Sequence, residues 1–122
     1  MIVSSAQRTQ ETAELLLDSL PVAEENIIID RELYLADVDT LCECIELYAR
    51  EGQRTLILAH NPGMDDIVSH LSRTHVPLSS SGNLMSTCAV AHFRMDSLAA
   101  MKKGGQCELL HLFRAGEIAS DR

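Results

Sequence analysis

Apolar positions along this chain alternate between short β-like runs and helical stripes. Ile2-Val3 is a short apolar run that stops at Ser4-Ser5. Thr9, Ala13, Leu16, Leu17 and Leu20 then fall at i, i+4, i+7, i+8 and i+11, one face of a helix that Pro21 is expected to end. Ile27-Ile28-Ile29 predicts a second strand, closed by Asp30. A second helix follows, with Asp39 or Thr40 as its cap, Leu41, Ile45 and Tyr48 on its inner face and Gly52 past its end.

Thr55-Leu56-Ile57-Leu58-Ala59 is continuously apolar, the pattern of a parallel strand covered on both faces. It runs into His60-Asn61-Pro62-Gly63 and then a short helix with Ile67, Val68 and Leu71 inward. Residues 72–85 are rich in Ser, Pro, Gly and Asn and predict a long loop. Two late strands are predicted around Cys88–Met95 and Glu108–Phe113, separated by Gly104-Gly105 and close enough to form an antiparallel hairpin. Strand–helix alternation is the grammar of an α/β layered sheet, and no repeat or linker interrupts it, so residues 1–122 are expected to form a single domain.

Composition narrows the function classes. With 46% hydrophobic residues but no Trp, the core must be built from Leu, Ile, Val, Ala and Met. A formal charge of −8 argues against nucleic acid or an anionic membrane as partner, though a local cluster of Arg, His and backbone N–H groups can still bind an anion. No apolar run approaches the roughly 20 residues of a membrane span. The N-terminus lacks a basic segment and a long apolar stretch, so it is not expected to be a signal peptide, and a cytoplasmic location is expected. Cys42, Cys44, Cys88 and Cys107 show neither a CxxC pair nor zinc-ligand spacing, and are expected to be small buried thiols. No metal site and no cofactor is expected.

In open α/β sheets ligands bind beyond the carboxyl ends of the parallel strands. Two polar clusters stand there: Ser4-Ser5 with Arg8, and His60-Asn61-Pro62-Gly63. A guanidinium with helix N-terminal N–H groups is a workable phosphate cradle. His60 could donate to a phosphoryl oxygen or act as general acid or base. Spacing alone equally allows Arg8 as a surface residue and His60 as a hydrogen-bonded strand-end histidine.

The motifs also carry a family resemblance. Ser4-Ser5-Ala6-Gln7-Arg8-Thr9-Gln10-Glu11-Thr12-Ala13 resembles the Ser-Ser-x-x-Arg-x-x-x-Thr-Ala stretch of the histidine phosphatase superfamily. Leu58-Ala59-His60-Asn61-Pro62-Gly63 is similar to its Gly-His-Asn-Pro-Gly stretch, with Ala59 where Gly is common. Leu84-Met85-Ser86-Thr87-Cys88-Ala89-Val90-Ala91 resembles a Leu/Met-Pro-Thr-x-Ala-x-Ala segment of the SixA-like branch, with Ser86 in place of Pro, and Leu33-Tyr34-Leu35-Ala36 fits the same branch.

The resemblance implies a three-layer α/β/α, phosphoglycerate mutase-like fold with a mostly parallel sheet. It also implies a phosphohistidine phosphatase acting on a phosphorylated protein or a small phosphorylated substrate. Arg8, His60, Ser5 and Asn61 would hold phosphate, with His60 the catalytic candidate. Glu32 and Asp37 stand near the place where related branches put a proton donor.

The family's nucleophile belongs to an Arg-His-Gly motif, and this sequence has none. The resemblance aligns the chain's start with the family's second strand, so roughly thirty residues of strand, loop and helix are expected to be absent. The absent strand would lie between those carrying Ser4-Ser5 and His60, leaving buried backbone groups to find other partners. A truncated product or misassigned start is the favoured explanation. The others are a short protein whose sheet closes over the gap, and a second polypeptide filling it. An exposed strand edge would favour self-association. His60 is not expected to replace the nucleophile, so the chain alone should be weak or inactive. His92 and His111 lie inside late strands, where structural or surface roles are expected, and His70 and His75 should be solvated.

Overall fold

The computed structural model describes residues 1–77, 85 and 89–114. They fall into two compact units, Met1–Gly63 and the stretch from Met64 onward.

The first unit is built on a three-stranded parallel sheet, β1 (Ile2–Ser4), β2 (Ile28–Asp30) and β3 (Ile57–Leu58), in the order β2-β1-β3. Helix α1 (Gln7–Leu17) links β1 to β2, and α2 (Val38–Tyr48) links β2 to β3. The predicted order of strands and helices is therefore present. β1 is the central strand and is wholly buried. Ile2 pairs with Ile28 on one side and Ile57 on the other, and Val3 with Ile29 and Leu58. Parallel pairing puts Ser4, Asp30 and Leu58 at one end of the sheet.

Where the resemblance puts an absent strand, between those carrying Ser4 and His60, β1 and β3 pair directly and Ile2 N–H donates to Leu56 O at 2.8 Å, the arrangement of a sheet closed over the gap. That contact satisfies backbone groups on β1 that would otherwise be orphaned in the core. β3 was expected to be covered on both faces, but it is short, half-buried and at the sheet's edge. The second helix is capped by Asp37, not Asp39 or Thr40: the Asp37 carboxylate accepts from Thr40 N–H at 2.9 Å.

Helical spacing sets the packing. Ala13 and Thr9 of α1 are buried, but Leu20, expected on the same face, lies beyond the helix and is exposed. On α2, Leu41, Cys42, Cys44 and Ile45 form a broad buried face, whereas Tyr48 is half-buried. Leu33, with no exposed surface, anchors the short turn Arg31–Leu33 after β2.

The second unit takes up α3 (Gly63–Leu71), with Ile67, Val68 and Leu71 inward as expected. β4 (Ala89–Arg94) and β5 (Glu108–Arg114) form the predicted antiparallel hairpin. Alternation along it puts Ala89, Ala91, Phe93, Leu109 and Leu112 against Val68, Val76 and Met85. Gly104 and Gly105, both at positive φ, bring the chain back towards β5. Cys42, Cys44 and Cys107 are buried and in no disulfide, as expected, while Cys88 and the Ser86-Thr87 part of its motif lie outside the described residues. Among the described residues no helix is long and apolar enough to cross a membrane.

Candidate functional site

At the carboxyl end of the parallel sheet, each strand of the first unit leads to one part of a small polar cluster. β1 ends at Ser4, and Arg8 follows in the first turn of α1. β2 leads to Tyr34, and β3 to His60. Arg8 Nη2 donates to His60 Nδ1 at 3.1 Å, and His60 Nε2 lies 2.6 Å from Ser4 Oγ. Ser4 has no exposed surface and His60 only 8%. The Tyr34 ring meets the His60 ring edge-to-face, 5.5 Å between centroids and 72° between planes.

Local chemistry explains why this cluster is electropositive. Arg8 sits near the positive end of the α1 dipole, where a cation is disfavoured, and no acidic residue occupies that first turn. Arg8 makes no ion pair among the described residues, although the chain carries 18 carboxylates. An exposed guanidinium left without a carboxylate at a helix N-terminus is a site an anion would complete. Burial first, and then the Arg8 charge, push the His60 pKa below its ordinary value, so the ring is neutral at pH 7.

The backbone around the cluster is tightly specified. The Asn61–Pro62 peptide is cis. A Cβ on Gly63 would overlap the carbonyl oxygen of Ala36 and press on Leu41 Cδ1, so only glycine fits there. Leu35, next to Tyr34, holds a φ of 52°, a left-handed conformation that costs a branched side chain about 1 kcal/mol or more. It is nonetheless 62% exposed, so burial does not account for the strain.

Of the residues expected at the site, Arg8 and His60 come together across 52 positions of sequence. Ser5 does not reach His60 by any bond seen here; its carbonyl accepts from Gln10 Nε2 at 2.8 Å, and the serine at the histidine is Ser4. Asn61 directly follows His60 and is exposed. Glu32 is exposed in the turn after β2, where its N–H donates to Asp30 Oδ1.

Asp37 is a helix cap, and the Thr40 N–H holds its carboxyl below the usual range, which opposes a role as proton donor. A carboxylate depressed in the folded state stabilises the fold above its unfolded pKa and loses that effect as pH falls through its folded pKa. Asp37→Ala is therefore expected to lower the midpoint of thermal unfolding at pH 7, with the gap to wild type closing in acid. Paired melts across the acidic range check this.

Sequence reasoning missed Ser4 as the histidine's partner, and Tyr34 as its aromatic neighbour. No signal in the sequence separated Ser4 from Ser5; the fold does so by making Ser4 the last buried residue of β1 and leaving Ser5 beyond it. Elsewhere, His70 was expected to be solvated but is half-buried, its Nε2 2.6 Å from Met101 O. His75 is exposed, and His92 and His111 stack on the hairpin's outer face at 5.9 Å. No group of three or more metal-ligating side chains occurs among the described residues. No family model matches the chain, and no curated protein or solved structure matches it.

Proposed function

We propose that this chain is a SixA-like phosphohistidine phosphatase domain of three-layer, phosphoglycerate mutase-like architecture. Its site binds the phosphoryl group of phosphohistidine or a related phosphorylated substrate, carried on a protein or a small molecule. The observation that carries this reading is the meeting of Arg8 and His60 at 3.1 Å beyond the carboxyl ends of parallel strands. The ordered motifs around Ser4, Tyr34 and His60 support it. With no Arg-His-Gly in the sequence, turnover by this chain alone is weak or absent.

A second reading is a phosphate- or phosphoprotein-binding module without turnover. The direct pairing of β1 with β3 favours it, because the strand that would bring a nucleophile has no place between them. The strand edges of β2 and β3 are where self-association would begin under either reading.

One set of assays separates them. Hydrolysis of a phosphohistidine peptide, abolished by His60→Ala, supports the phosphatase. A rise in melting temperature with orthophosphate, without hydrolysis, supports the binding module. Neither effect in a folded protein would sink both.

A further inference from the structure

The hydrogen bonds around His60 fix where its proton sits. A guanidinium has donors only, so Arg8 Nη2 at 3.1 Å requires Nδ1 to present its lone pair. The proton of the neutral ring is then on Nε2, and Ser4 Oγ at 2.6 Å accepts it. In this state His60 cannot serve as a base towards Ser4, because the nitrogen facing the hydroxyl already carries hydrogen. A second proton on the ring would point Nδ1–H at an Arg8 N–H, donor against donor.

Among the described residues, the groups facing the ring are Ser4 from β1, Arg8 from α1 and Tyr34 after β2. None is a carboxylate, so none of them offsets that clash. The empty cluster therefore carries one positive charge, on Arg8. An anion with a single charge is matched by Arg8 alone. A tetrahedral anion with two charges is not, unless the ring becomes cationic.

We propose that the Ser4–His60–Arg8 chain selects dianionic tetrahedral oxyanions by taking up a proton. The arriving anion draws Arg8 off Nδ1, and Nδ1 accepts a proton from solvent. Nε2–H turns from Ser4 to an anion oxygen, and His60 and Arg8 together match two negative charges. The only covalent change is the proton transfer itself: the Nδ1–H bond forms as the bond to hydrogen in hydronium or a buffer acid breaks. Ser4 acts as a positioning residue that keeps Nε2–H paired until the anion arrives. The inference rests on the phosphoryl-site reading and adds the charge state that the site demands.

The sign of the linkage follows. His60 in the empty site titrates below its ordinary value, because it is buried and beside Arg8. A bound dianion raises it. Affinity is then highest below the pKa of the empty site, falls as pH rises between the two values, and levels above the pKa of the complex.

Inorganic sulfate is the clean probe, since it remains a dianion throughout the range in which histidine titrates. Sulfate binding should weaken by up to about tenfold per pH unit as pH rises through the range in which histidine titrates. Calorimetry in two buffers of different ionisation enthalpy should give uptake approaching one proton per sulfate. His60→Gln keeps an N–H donor but cannot protonate, and should bind sulfate weakly with no pH dependence. Ring nitrogen spectra of the empty wild-type protein should show the Nε2–H tautomer.

Sulfate affinity that is equal at both ends of that range, or binding without proton uptake, overturns the proposal while leaving the phosphoryl-site reading intact. An Nδ1–H ring in the empty protein also overturns it alone. No binding of sulfate or orthophosphate at any pH removes both.

Discussion

Arg8→Met should weaken orthophosphate binding by roughly 10- to 100-fold while leaving the folded protein about as stable as before. Losing a charge-assisted hydrogen bond costs about 1.5–3 kcal/mol, which converts to that range of affinity. The Arg8 side chain is exposed and has no ion-pair partner among the described residues, so its removal leaves no buried charge behind and forfeits only its hydrogen bond to His60 Nδ1. Removing a cation from the first turn of α1 relieves an unfavourable interaction with the helix dipole, which offsets that lost bond. Loss of binding with retained stability marks a residue kept for a ligand. Arg8→Lys should fall between wild type and Met, because an ammonium keeps the charge but cannot hold two oxygens in one plane. Titration calorimetry with orthophosphate, beside a denaturant melt of each variant, checks both halves. Unchanged phosphate affinity in Arg8→Met would falsify the assignment of this guanidinium to the site.

The order of elements was legible in the sequence because it depends on local periodicity. The helical stripe beginning at Thr9, the β-rich run at Ile27 and the late hairpin all occur where pattern placed them. The chemistry was legible in part. Arg8 and His60 stood out because polar residues at strand ends in an α/β chain are few, and because their neighbours match known motifs in order. What the sequence did not carry was pairing between distant segments. Apolar residues at 55–59 cannot announce whether both faces will be covered, and β3 turned out to be a half-buried edge. Likewise Ser4 and Ser5 are chemically identical, and only the buried register of β1 gives Ser4 to the histidine. Asp37, Asp39 and Thr40 could each cap a helix, and the choice belonged to where the turn after Leu33 delivered the chain.

The loop that carries His60 is held by its packing, and Gly63 is where this is most open to test. Gly63→Ala should destabilise the protein by about 1–3 kcal/mol, a sizeable share of the stability of a small domain. Its Cβ would meet the backbone carbonyl of Ala36, which cannot swing aside as a side-chain tip can. Ala36 lies between buried Leu33 and the Asp37 cap of α2, and its own N–H donates to Leu33 O at 3.4 Å. To relieve the overlap, the segment 60–63 must move away from the turn that presents Tyr34. His60 is then expected to leave Arg8, so phosphate affinity should fall even where the variant remains folded. Gly52→Ala supplies the contrast. Gly52 also resists a side chain, but through its φ of 78° alone, since a Cβ there meets nothing within 4 Å. It should cost about 1–2 kcal/mol, and it should leave phosphate binding unchanged because it disturbs no packing beside His60. If the two variants lost stability equally and both kept wild-type phosphate affinity, close packing at Gly63 would not be what positions the histidine. Denaturant midpoints with orthophosphate titrations on both proteins distinguish a strained turn from a seat for the site.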